Sequence, residues 1–222
     1  MNVSEAVATR RSIRAFLDRP VDMGLLRDLI ERAGRAPSGG NLQPWHVHVV
    51  SGEAMVRLKA IMRERLAEAA FGDPPEYSVY PQPLGEPYRS RRFGVGEAMY
   101  EPLGIPREDK AARLRWFAAN WQFFGAPVGL FCYVRRDHGP PQWADCGMFL
   151  QTLMLLLREA GLDSCAQEAW TVHHKTIGKF LDAPEDQMLF TGMAIGWRDS
   201  DAPVNGFEVP RAPLEEWASF RD

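Results

Sequence analysis

Arg10-Arg11-Ser12-Ile13-Arg14 places three guanidiniums and a hydroxyl within five residues. A guanidinium is planar, permanently charged and donates in pairs, a geometry that phosphate oxygens accept well. If the stretch is extended, alternate side chains share a side, so Arg10, Ser12 and Arg14 face one way. That set can grip a phosphate and reach farther along the same ligand. A solvated basic stretch at a helix end explains the same residues, because cations are favourable there.

A second segment, Ala36 to Trp45 (APSGGNLQPW), combines two glycines, two prolines and two side-chain amides. The glycines permit close backbone approach to a ligand, and Asn41 and Gln43 both donate and accept. Such a loop can read the edge of a flat heteroaromatic ring. It also suits an ordinary helix-to-strand connection, the role we assign to Pro44 and Trp45 but not to Asn41. The third segment is Asp163 to Trp170. Its Cys165 reads as a buried thiol in preference to a nucleophile, because pairing with His173 or His174 needs a spatial contact that spacing does not supply. His46 and His48 alternate on a strand pattern with no carboxylate partners, so we assign them no metal. No GxGxxG turn follows a strand, and no Walker A motif occurs.

The elements that must carry these segments are readable from periodicity. Helices are predicted over Ser4–Thr9, Asp22–Ala36, Gly52–Ala70, Arg107–Phe124, Gln142–Ala160 and Thr171–Leu181, from apolar residues at helical spacing. Strands are predicted over Trp45–Val50, Pro127–Val134 and Gln187–Gly196. Gln142–Ala160 is apolar on more than one face, as expected of a helix in the domain centre or at a subunit interface. Phe71 to Gly104 is proline-rich and reads as an inserted loop region of the kind that forms lids. The tail from Trp197 to Asp222, with Pro203, Pro210 and Pro213, reads as an arm that wraps over something. Strands separated by more numerous helices indicate an α/β or α+β sheet covered by helices.

The chain has 222 residues, 45% hydrophobic and 25% charged, with a net charge of −3. That balance suits a globular protein and carries no basic field for nucleic acid or a membrane surface, so neither is expected as a partner. Three isolated cysteines suit a reducing compartment. No signal peptide and no apolar run of spanning length is read, and the expected location is the cytoplasm.

Together the three segments resemble the nitroreductase family of FMN-dependent NAD(P)H oxidoreductases. The resemblance rests on Arg10-Arg11-Ser12-Ile13-Arg14 with Phe16 and Pro20-Val21, on Ala36-Pro37-Ser38 with Asn41 and Gln43-Pro44-Trp45, and on the spacing between them. Gly161-Leu162-Asp163 to Trp170 is similar to the family's third flavin loop. Ala194-Ile195-Gly196-Trp197 is similar to its last strand, which more often ends in Gly-Tyr. The resemblance implies an α+β fold with a central, mainly antiparallel sheet flanked by helices. It implies one domain over residues 1–222, with a lid at about 71–106 and a C-terminal arm at about 197–222, assembled as an intertwined homodimer with FMN at the interface. It also implies FMN as cofactor and NADH or NADPH as co-substrate. Arg10, Arg11, Ser12 and Arg211 would surround the phosphate, and Arg14 would lie toward the N1–C2=O side of the ring. Pro37, Ser38 and Asn41 would contact the ring and ribityl chain. Backbone amides around Gln167, Glu168 and Ala169 would approach N5, the hydride acceptor. The flavin carries the electrons, so no catalytic side chain is named, and a small electron-poor acceptor such as a nitroaromatic or quinone would alternate with NAD(P)H.

The stretch from Phe71 to Phe117 is longer and richer in Arg, Pro and Tyr than a compact member needs. Arg91-Arg92, Tyr100 and Gly104-Ile105-Pro106-Arg107 resemble a nitrobenzoate-reducing subgroup. Arg91 or Arg92 would meet a carboxylate or an NADPH phosphate, or else be solvated. Dehalogenation or enone reduction on the same fold is a second reading, with Glu97, Tyr100 and Lys110 as the candidate grip for a zwitterion. A non-catalytic flavin-binding module is a third.

Overall fold

The computed structural model describes residues 1–68 and 72–221. The ends of the predicted Gly52–Ala70 helix, of the lid at Phe71 and of the arm at Asp222 lie outside them. Helix α1 (Val3–Thr9) starts at Asn2, whose side chain accepts from the Glu5 N–H in a capping box. The helix thus begins one residue before the predicted Ser4 start. Helix α2 (Met23–Ala33) starts at Asp22, which accepts from the Gly24 and Leu25 N–H groups. It stops three residues before the predicted end.

Four strands, β1 (His46–Ser51), β2 (Val128–Arg135), β3 (Asp163–Gln167) and β4 (Gln187–Gly196), form one sheet in the order β1-β2-β4-β3. Every neighbouring pair is antiparallel, so the fold is α+β. Strand β3 falls in the segment read as a loop. Its sequence, Asp-Ser-Cys-Ala-Gln, lacks the β-branched and aromatic residues that mark a strand. Tertiary pairing with β4 decides its conformation.

The sheet is buried on both faces. Along β2, Val128, Leu130, Cys132 and Val134 join the cluster under α2 and α6 (Pro140–Glu159), while Phe131 and Tyr133 join the opposite one. That alternation is the period of two of a strand. In β4 the parity changes: Met188 and Phe190 share a face with Met193 and Ile195. The register jumps from Cys132↔Thr191 to Tyr133↔Leu189. The bulge at Phe190 returns the apolar side chains to one face.

Helix α6 buries Cys146, Phe149, Leu150, Leu153 and Leu157, at helical spacing. Its opposite stripe, Ala144, Gly147, Met148 and Gln151, is exposed. On the sheet's other face lie α3 (Gly52–Glu68), a 3-10 stretch from Ala118 to Gly125, and α7 (His174–Leu181). The proline-rich region is more ordered than its composition suggests, with α4 (Tyr88–Tyr100) inside it and α5 (Lys110–Phe117) after it. The prolines flank α4 without interrupting it. The predicted 107–124 and 171–181 helices are each part α-helix and part 3-10 helix.

Candidate active site

The Arg10–Arg14 segment lies extended against the start of β3. Ser12 forms a parallel bridge with Ser164, and the Ile13 N–H donates to the Ser164 carbonyl at 3.1 Å. Ile13 is fully buried, which leaves Ser12 and Arg14 on the other side of the chain, as the alternation predicts. Farther along, the Phe16 N–H donates to the Phe124 carbonyl at 3.3 Å. Phe123 and Phe124 both have a φ of 52°. That conformation is strained for bulky residues and needs surrounding packing to hold it.

The tail fixes this segment through Asn205. Its side chain accepts from the Arg14 N–H and donates to the carbonyls of Ala15 and Asp199, all at 2.8 Å. Asp163, 1% exposed, accepts from Arg198 at 2.6 and 2.7 Å and from Arg158 at 3.2 Å. This buried triad locks α6, β3 and the tail together. Sequence reading missed both Asn205 and Asp163, because a single Asn or Asp carries no pattern.

Arg10, Ser12 and Arg14 converge around Cys165. Burial pushes the Cys165 thiol up, against the opposing charges of Arg14 and Arg10 and a hydrogen bond to Ser12. It is therefore a buried thiol. His173 does not pair with it; that ring packs edge-on against Trp121, with centroids 4.7 Å apart. Arg10 is pulled below its ordinary pKa by burial first and then by the charge of Arg211. Two guanidiniums approach each other here, and neither forms an ion pair among the described residues. Arg211 is steadied by the carbonyls of Val209 and Pro210 at 2.9 and 3.2 Å. Arg11 points elsewhere, to the Gly206 carbonyl and Glu208, each at 3.5 Å.

The other end of β3 leads into the 168–173 turn. Gln167 is buried and donates to the Asn120 carbonyl at 2.8 Å and to its side-chain oxygen at 3.2 Å. Its side chain is thus occupied internally, leaving only its backbone to face a ligand. The Trp121 indole N–H donates to the Ala169 carbonyl at 3.0 Å, and the Thr171 hydroxyl to the Glu168 carbonyl at 2.8 Å. Burial raises the Glu168 carboxyl above its ordinary range. Gly192 lets the turn sit on the sheet: a Cβ there would lie 2.3 Å from the Trp170 ring.

The Pro37–Asn41 loop lies apart from this cluster. The Gly39 N–H donates to Asp145 near the start of α6, at 3.2 Å. Asn41 has a φ of 57° and is exposed. Ser38 spends its hydroxyl on the Gln43 N–H at 2.9 Å. Thirteen helical residues separate Asp145 from Arg158, which holds the β3 end, a span of about 20 Å.

In the lid region, Arg113 forms a two-point pair with Glu97 at 2.5 and 3.0 Å and lies over the Tyr100 ring at 4.2 Å. Arg91 pairs with Glu216 of the tail, and Arg92 lies over Tyr80 at 4.2 Å.

The structure is an α+β protein, a four-stranded antiparallel sheet between helical layers, with the Arg10–Arg14 segment against the start of β3, the 168–173 turn at that strand's other end, and no ion pair to Arg10 or Arg14 among the described residues. The chain belongs to the Nitroreductase family, whose profile matches residues 7–197. It is 38% identical over 218 residues to nitrobenzene nitroreductase of Ectopseudomonas oleovorans, covering 98% of this chain and 96% of that protein. It is 37% identical to 4-nitrobenzoate reductase of Pseudomonas putida, covering 96% and 93% respectively. The crystal structure of the FMN- and NADPH-dependent nitroreductase NfnB from Sphigopyxis sp. strain HMH superposes with a TM-score of 0.97 at 51% identity, over 100% of both chains.

Proposed function

We propose that this chain is an FMN-dependent oxidoreductase that moves reducing equivalents from NADPH or NADH to an electron-poor acceptor, a nitroaromatic or a quinone. The observation that carries the reading is the convergence of Arg10, Ser12 and Arg14 on Cys165 where the segment bridges β3, with Arg211 adding charge toward Arg10 and no carboxylate paired to Arg10, Arg14 or Arg211 among the described residues. Bringing like charges together is unfavourable unless an anion joins them, and a phosphate ester has the charge and oxygens to do so. When bound, FMN supplies hydride acceptance and donation at N5. The residues present fit it. Arg10, Ser12 and Arg211 would hold the phosphate, and Arg14 would place positive charge beside the ring. Trp121 and Thr171 hold the Ala169 and Glu168 carbonyls, and Asn120 holds the Gln167 side chain, so that amides of the turn would present donors without reorganising. Arg11 contributes through its contact with the tail.

The working unit is a homodimer. Pro37, Ser38 and Asn41 lie about 20 Å along α6 from the strand end that Ser12 joins. An antiparallel pairing of two α6 helices centred near Gln151, at the end of the exposed Ala144–Gln151 stripe, would bring this loop from the partner subunit toward the arginine cluster. Nothing blocks close approach at Gly147, where a Cβ would meet no atom within 4 Å. Exposed Trp217 and Phe220 make the tail an apolar arm that gains by lying on a second protomer. Residues from 72 to about 106 form the lid over the acceptor channel of a single domain. No helix among the described residues is long and apolar enough to cross a membrane, and we place the enzyme in the cytoplasm.

Dehalogenation of a zwitterionic substrate is less well supported, because Arg113 already engages Glu97 and covers Tyr100. Reconstitution with FMN, followed by anaerobic addition of NADPH, tests the proposal. The flavin absorbance should bleach and return on adding a nitroaromatic. A protein that takes up no FMN would refute it.

A further inference from the structure

A groove of about 540 Å³ opens between the C-terminal half of α3, the end of α5 and the Arg14–Phe16 segment. Three guanidiniums line it, those of Arg14, Arg63 and Arg115, and no carboxylate among the described residues does. None of the three forms an ion pair among the described residues. Arg63 donates to the neutral Gln122 amide at 3.2 Å, and Arg14 to the Ser12 carbonyl at 3.3 Å. The same groove is lined by aromatic rings, Trp116 and Phe124 with centroids 6.1 Å apart and planes tilted by 35°, and Phe16. Arginines and aromatic rings in one groove suit a ligand that is a dianion at one end and a planar ring at the other. The volume lies within the usual range for a small-ligand site, about 300–1,000 Å³.

We propose that this groove binds the 2′-phosphorylated adenosine end of the hydride donor, with Arg63 and Arg115 on the phosphate and the Trp116 and Phe124 rings against the base. The proposal rests on the reading of the chain as an NADPH-using flavoenzyme. Arg14 supplies the link, since it belongs both to this groove and to the cluster around Ser12 and Cys165. A donor whose nicotinamide reaches the flavin can thus leave its adenosine end here. Arg63 and Arg115 are exposed and lie outside the Arg10–Arg14, Pro37–Asn41 and Gln167–Ala169 segments, so their replacement should spare both fold and flavin.

The test is calorimetric titration of the FMN-loaded enzyme with 2′,5′-ADP and, separately, with 5′-ADP. The 2′-phosphorylated nucleotide should bind at least about tenfold more tightly, the scale of charge-assisted hydrogen bonds. Arg115→Ala and Arg63→Ala should each remove about tenfold of that affinity. They should leave 5′-ADP binding and the FMN-to-protein ratio unchanged, and Arg115→Lys should restore part of the loss. In turnover, KM should rise for NADPH and hold for NADH. Equal binding of the two nucleotides by the unaltered enzyme would overturn the proposal, as would unchanged 2′,5′-ADP binding in both variants. Loss of FMN from the variants would assign the groove to the flavin instead. A rise confined to the KM for 4-nitrobenzoate would assign it to an acceptor carboxylate. If the unaltered protein takes up no FMN, it is the flavoenzyme reading that fails, whatever the groove binds.

Discussion

Trp121 and Ala169 come from segments 48 residues apart, yet the indole N–H of one holds the carbonyl of the other at 3.0 Å. This bond sets the orientation of the peptide groups that follow Gln167. Trp121→Phe should keep the ring packing and lose the bond. A hydrogen bond of this kind contributes about 1 kcal/mol to stability, so thermal unfolding should shift only a little. The midpoint potential and absorption maximum of bound FMN should move clearly. A variant with unaltered flavin spectrum and potential would remove Trp121 from any role beyond packing.

The phosphate assignment separates Arg10 from its neighbour. Arg10→Ala should weaken FMN binding by about ten- to a hundredfold, as expected for losing a charge-assisted pair. Arg11→Ala should change it little, because Arg11 is turned toward Glu208 and Gly206. Fluorescence titration of apoprotein with FMN measures both. Equal losses in the two variants would contradict the geometry.

Gly192 tests the seat of the 168–173 turn. Gly192→Ala drives a methyl into the Trp170 ring, and overpacking of this kind costs about 1–3 kcal/mol. Its thermal midpoint should fall and FMN retention with it. Gly147→Glu, on the exposed stripe of α6, should leave the protomer folded but convert dimer to monomer in sedimentation. If that substitution left a dimer intact, the α6 pairing would be wrong.

His173 gives a pH signature. Burial first, and then the charge of Arg65, hold its pKa down to about 4 in the folded chain, whereas an unperturbed histidine titrates near 6.5. The folded state therefore binds fewer protons than the unfolded one between these values. Stability from this group is complete above about pH 6.5 and falls as pH drops toward about 4. The loss amounts to roughly 3 kcal/mol at the acid end. His173→Phe should flatten that part of the stability-against-pH curve measured by urea unfolding. An unchanged slope would mean that another group supplies it.

Much of this was legible in the sequence because it repeats. Helical spacing marked α2, α3 and α6, and the run Gln187–Gly196 matched β4. The basic segment announced itself by density of charge, and alternation set Arg10, Ser12 and Arg14 on one side, with the buried Ile13 between them. What escaped has no period. Strand β3 reads Asp-Ser-Cys-Ala-Gln and exists because β4 pairs with it. Asn205, Asp163 and Trp121 act singly, across gaps of many residues, and no local pattern precedes any of them. The α4 helix hid behind flanking prolines that mark its surroundings and not its interior.

On this reading the arginine cluster and the Gln167–Ala169 turn hold a flavin that NADPH reduces. Anaerobic titration of FMN-loaded protein with NADPH measures it most directly. One equivalent per flavin should bleach the absorbance, and a nitroaromatic added afterwards should restore it. Flavin that binds stoichiometrically but stays oxidised in excess NADPH and NADH would contradict the account.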